Sequence, residues 1–121
     1  MQCKQITCHP PVYRPLMNVL FVCSKNQWRS PTAEKIFAEG HGIRTRSAGT
    51  SSSARHRINR RDLAWADLIM VMEERHKAII KQQFRPHEYK KIIVLDIADD
   101  YPFMDAELIQ LLQASVSPYL P

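Results

Sequence analysis

Apolar residues in this chain gather into short blocks, and the blocks alternate between continuous runs and helical spacing. Asn18-Val19-Leu20-Phe21-Val22-Cys23 is an unbroken run of β-branched and aromatic type, which predicts a strand buried on both faces. A polar loop at 24–29 follows. Ser30-Pro31-Thr32-Ala33-Glu34 then predicts a helix start, with Ser30 as N-cap, Pro31 at the first helical position and Glu34 near the positive end of the dipole. Ala33, Ile36 and Phe37 supply its apolar face, and Gly40 and Gly42 mark its end. Residues 43–48 read as a second strand, closed by Gly49. Residues 54–65 are polar and basic, with Ile58, Leu63 and Trp65 at loosely helical spacing. A third buried strand is expected at 67–72, a helix at 73–84 stopped by Pro86, and a fourth strand at 91–95. The last helix is expected at 105–114, with Leu108, Ile109, Leu111 and Leu112 facing inward.

Buried strands alternating with helices imply right-handed crossovers and a parallel sheet covered on both sides, an α/β fold of three layers. Such sheets bind ligands beyond the carboxyl ends of their strands, where strand order reverses. The loop after Cys23 leaves one of those ends. Residues 1–16 hold three of the eight prolines and no periodic pattern, so they read as an irregular extension. Residues 17–121 read as a single domain.

Composition narrows the class. The chain has 121 residues, 45% hydrophobic and 24% charged, an ordinary globular balance. No apolar run approaches the about 18 residues of a membrane span, and the start lacks the apolar stretch of a secretory signal, so a cytoplasmic protein is expected. Cys3, Cys8 and Cys23 are too few for a disulfide scaffold. Cys3 and Cys8, with only His9 nearby, make a poor zinc set, and no metal or other cofactor is expected. The net charge of +5 favours an anionic partner. Arg44, Arg46, Arg55, Arg57, Arg60 and Arg61 fall in one acid-free stretch. They form either a solvated basic face or a rim attracting a phosphorylated substrate, with nucleic acid a lesser candidate.

The chemistry concentrates in Cys23-Ser24-Lys25-Asn26-Gln27-Trp28-Arg29-Ser30-Pro31. Cleaving a phosphate monoester requires holding a dianion in line with a nucleophile and meeting the charge on its equatorial oxygens. A loop between a strand and a helix N-terminus turns successive N–H groups into one concavity. Five residues between Cys23 and Arg29 let that loop close, bringing the guanidinium fork onto two phosphate oxygens. The same donors favour an ionised sulfur on Cys23, and Ser30 can give it a hydroxyl hydrogen bond or cap the helix. A thiolate attack splits one hard step into two. Departure of the leaving group needs a carboxylic acid, and Asp96, Asp99 and Asp100 lie just past the fourth strand. Position alone does not choose among them.

These residues resemble the low-molecular-weight protein tyrosine phosphatases. The matches are VLFVCSKNQWRSPTAE at 19–34, SAGT at 47–50, ADLIMVM at 66–72 and Asp-Asp-Tyr at 99–101. The resemblance covers roughly residues 17–112. It implies a four-stranded parallel sheet of flavodoxin- or Rossmann-like type and metal-independent hydrolysis of a phosphorylated protein or small phosphomonoester. It also implies a cysteinyl-phosphate at Cys23, phosphate binding by Arg29 and the loop residues Ser24, Lys25, Asn26, Gln27 and Trp28, an unusual backbone conformation at Asn26, and a Ser30 bond to the nucleophile. Aligning Ile97-Ala98-Asp99-Asp100-Tyr101 with the family pattern makes Asp99 the general acid. Lys25 stands where the family has glycine, Trp28 where it commonly has a second cysteine, and the segment between SAGT and ADLIMVM is short.

Two other functions fit the same fold. A non-catalytic module could bind a phosphorylated or nucleic-acid partner through the loop and the arginine rim. An arsenate reductase would need Cys3 or Cys8 as resolving thiols, because no cysteine follows Cys23.

Overall fold

A computed structural model describes residues 16–121, so all but the last residue of the expected extension at 1–16, with Cys3 and Cys8, lies outside the described residues. The elements run β1 (Met17–Cys23), α1 (Arg29–Ile36), β2 (Ile43–Gly49), α2 (Arg60–Trp65), β3 (Leu68–Val71), α3 (Glu74–Gln83), β4 (Lys91–Val94) and α4 (Ala106–Val116). The four strands form one sheet in the order β2-β1-β3-β4, every pair parallel.

The alternation along β1 explains why this strand is apolar throughout. Val19, Phe21 and Cys23 face one side, against Ala33 and Phe37 of α1 and Leu108, Leu112 and Val116 of α4. Leu20 and Val22 face the other, against Ile58, Leu63 of α2 and Ile80 of α3. A central strand covered on both faces has no polar face to show. Register sets Cys23 beside Gly49, so the carboxyl end of β1 meets the SAGT segment directly. The chain crosses from β1 to β2 on one side and to β3 on the other. Strand order therefore reverses at β1, and the crevice there opens above Cys23.

Several local expectations are corrected. α1 begins at Arg29, with Trp28 in the N-cap position, so Ser30 lies inside the first turn and its hydroxyl is free for other contacts. Thr32 Oγ1 donates to the Trp28 carbonyl at 2.6 Å and tightens that turn. Glu34 falls beyond the first turn and accepts the Ser47 hydroxyl instead of facing free amides. α1 stops at Ile36, before Gly40 and Gly42, which turn the chain toward β2 with φ of 80° and 73°. In α4 the inward stripe is Leu108, Leu112 and Val116 at four-residue steps, which leaves Leu111 exposed on the flank. The loosely helical 54–65 segment yields only α2, capped by Asn59, whose side chain accepts the Asp62 amide while Asp62 accepts the Asn59 amide.

Candidate active site

The loop from Ser24 to Trp28 is held by its carbonyls. Those of Cys23, Ser24 and Lys25 accept the amides of Thr50, Ser51 and Arg55 at 2.9, 2.9 and 3.0 Å, and that of Asn26 accepts Arg55 Nε at 3.0 Å. Four successive carbonyls are thus engaged by the segment 50–55. Among the described residues none of the amides of 24–29 has a protein acceptor. A run of N–H groups without protein acceptors between a strand and a helix start is suited to hold an anion.

Two residues allow the loop to curl so tightly. Asn26 takes φ 55°, a left-handed conformation asparagine tolerates, and its Nδ2 donates to Ser30 Oγ at 3.0 Å and Ser47 Oγ at 2.9 Å. Lys25, in the glycine position of the resembled family, stays outside that region. Gly49 supports the loop from below: a Cβ there would lie 2.5 Å from the Ser24 carbonyl oxygen and 2.9 Å from the Asn26 nitrogen. The glycine of SAGT is thus required by close approach of two backbones.

Cys23 Sγ lies 3.0 Å from Ser30 Oγ, and Ser30 in turn receives Asn26. Cys23, Lys25, Gln27, Trp28, Arg29 and Asp99 line one small pocket of about 30 Å³. Trp28, 41% exposed, stands at its wall. Arg29 is almost wholly buried. Its Nη1 donates to Glu73 Oε2 and, at 2.9 Å, to the Ile97 carbonyl. Its Nε has no hydrogen-bond partner; the nearest carboxylate oxygen, Asp99 Oδ1, is 3.5 Å away. The guanidinium is clamped on one edge and leaves a donor on the other.

Of the three candidate acids, only Asp99 lines the pocket. Asp96, with φ 57°, lies in a separate depression with Glu73, Glu74, Arg75 and Ala98. Asp100 is exposed, outside the residues that line the pocket.

Sequence reasoning missed Glu73 and His76, reading both as the start of a helix. Glu73 bridges Arg29 and Arg75, accepting Arg75 Nε at 2.9 Å. The Arg75 bond, then that of Arg29, hold its carboxyl down to about 2. His76 is fully buried. Its Nδ1 accepts the Glu73 amide at 3.1 Å, so Nε2 carries the proton and donates to Ser24 Oγ at 2.9 Å. Burial first, then Arg29 and Arg75, lower its pKa to about 4. The available signal was position: Glu73 follows the buried run of β3 at the same sheet edge as Cys23.

The model of low-molecular-weight phosphotyrosine protein phosphatases matches residues 18–64. The chain is 30% identical over 95 residues to the protein-arginine-phosphatase of Bacillus subtilis (strain 168), a match spanning 56% of this chain and 63% of that protein. Among solved structures, a YwlE mutant from Bacillus subtilis superposes with TM-score 0.63 at 27% identity, covering 85% of this chain and 98% of that one. The tyrosine phosphatase Wzb from Escherichia coli K30, in complex with phosphate, superposes with TM-score 0.68 at 20% identity, covering 87% and 96%, a likeness of fold. The segment matched by that family's model contains the Cys23–Arg29 loop, and the chain spans somewhat less than two thirds of the length of the arginine phosphatase it matches.

Proposed function

We propose that this chain is a cysteine-dependent protein phosphatase that hydrolyses a phosphorylated side chain through a cysteinyl-phosphate. The observation that carries this reading is the buried Arg29, which has an unpartnered Nε and lines the same pocket as Cys23. A phosphate oxygen supplies the missing acceptor, and the loop amides take the others.

In the first step the Cys23 thiolate attacks phosphorus, the bond from phosphorus to the leaving atom breaks, and Asp99 gives that atom its proton. In the second, Asp99 takes a proton from water, the water oxygen attacks phosphorus, and the S–P bond breaks to release inorganic phosphate and the thiolate. Ser30 donates to the returning sulfur, Asn26 holds Ser30 and the loop, and Glu73 and the Ile97 carbonyl hold Arg29. Ser24, Lys25, Gln27 and Trp28 surround the bound group.

Two substrate side chains are in view. Phosphotyrosine is supported by the match of residues 18–64 to the phosphotyrosine phosphatase model. Phosphoarginine is the second reading, supported by the likeness to the arginine phosphatase and by Trp28 and Asp99, since a guanidinium stacks on an indole and pairs with a carboxylate. Hydrolysis of p-nitrophenyl phosphate, phosphotyrosine and phosphoarginine by the purified protein tests both. Cys23→Ser is expected to abolish turnover, a loss on the order of a thousandfold or more. Phosphate binding with no turnover of any of the three would favour the binding-module reading instead. Arsenate reduction that depends on Cys3 or Cys8 would favour the reductase.

A further inference from the structure

A depression of about 770 Å³ is separate from the catalytic pocket. It runs along α1 and the edge strand β2, lined by Gln27, Pro31, Lys35, Arg44, Arg55 and Phe103 among others. Its volume is in the range of built ligand sites rather than surface roughness. Three features connect it to the catalytic pocket. Gln27 lines both. Arg55 reaches from the groove to the Asn26 carbonyl of the phosphate loop. Phe103, 46% exposed, sits four residues after Asp99 on the segment that carries the acid. The groove therefore adjoins the catalytic pocket.

The groove's charge selects what continues. Lys35, Arg44 and Arg55 face a single acid, Glu34, whose carboxylate is engaged by the Ser47 hydroxyl at 2.5 Å. Apolar surface from Pro31, Ile43 and Phe103 lies between the cations. Pro31, Glu34 and Lys35 line it from α1, and Ala38 from just past the helix's end.

We infer that this groove is a docking surface for the polypeptide flanking the phosphorylated residue, and that it selects a segment with acidic side chains close to the phosphate. The inference rests on the phosphatase reading above and adds the sequence context of the substrate. Substrates are thus protein segments of acidic character, in preference to isolated phosphometabolites.

The test uses matched phosphotyrosine and phosphoarginine peptides whose flanking three residues are Asp or Lys, with p-nitrophenyl phosphate alongside. The parent protein is expected to favour the Asp-flanked peptide about tenfold in kcat/KM, an advantage that shrinks with added salt. The double variant Lys35→Glu, Arg44→Glu is expected to lose or reverse that preference while hydrolysing p-nitrophenyl phosphate at the parental rate. Equal rates on the two peptides, or a preference unchanged in the variant, overturn the inference. Failure of the phosphatase reading shows separately, as no turnover of any substrate. Peptide affinities measured by fluorescence anisotropy then decide the groove on their own: equal affinities for the Asp- and Lys-flanked peptides overturn it.

Discussion

Acidification is expected to weaken this fold through one buried imidazole. An unfolded histidine titrates near 6.5, whereas burial and the neighbouring Arg29 and Arg75 hold His76 down to about 4. Between those values the unfolded chain binds a proton that the folded chain refuses. Stability is therefore full above about pH 6.5 and falls as the pH drops toward 4. From the two values, the loss between about pH 7 and about pH 4.5 amounts to roughly 2 kcal/mol. The geometry gives the same direction. Nδ1 accepts the Glu73 amide, and a proton placed there sets two donors face to face. His76→Asn isolates the effect, because an asparagine oxygen can accept the same amide but does not titrate. Urea unfolding of both proteins at the two pH values is the assay. Stopping at about pH 4.5 keeps clear of most of the Glu73 transition, since that carboxyl holds its charge down to about 2. The parent is expected to lose about 2 kcal/mol more than the variant. Equal losses would refute the assignment of a neutral, buried His76.

Other substitutions probe the loop. Gly49→Ala pushes a methyl into two backbone atoms and Ala54 Cβ, and is expected to cost about 1–3 kcal/mol and most of the activity, read by thermal unfolding and p-nitrophenyl phosphate turnover. Glu73→Gln leaves Arg29 with less compensation. Because the carboxylate is partly exposed and shared with Arg75, the expected cost is about 2 kcal/mol, below that of a fully buried pair, with at least about a tenfold drop in kcat/KM. In kcat/KM, which reads only the step that forms the cysteinyl-phosphate, Asp99→Asn is expected to slow phenyl phosphate about a hundredfold or more and p-nitrophenyl phosphate much less, since nitrophenolate departs without a proton. Equal slowing of the two esters would remove Asp99 from the acid's role.

The sheet was legible because its strands are covered on both faces, and an unbroken run such as Val19–Val22 has few other uses. The Cys23–Arg29 loop was legible because both residues belong to one short segment between a strand and a helix. What escaped depends on contacts distant in sequence. Glu73 meets Arg29 across 44 residues and His76 meets Ser24 across 52, and neither has a local pattern to announce it. Ser30 was misread for the opposite reason. Its local pattern, Ser-Pro before a helix, is a good cap signal, but the loop closes one residue earlier and the hydroxyl serves Cys23. Asp96, Asp99 and Asp100 share one turn, and only the backbone path, with φ 57° at Asp96, separates the acid at the pocket from its neighbours.

The most direct measurement is rapid-quench mass spectrometry of the Asp99→Ala protein mixed with p-nitrophenyl phosphate. The leaving group needs no acid, but the second step needs the missing base, so the covalent species accumulates. The account predicts a burst of one nitrophenolate per chain and one phosphoryl group on the peptide containing Cys23. Turnover with no burst and no adduct, or a phosphoryl group on another residue, would contradict it.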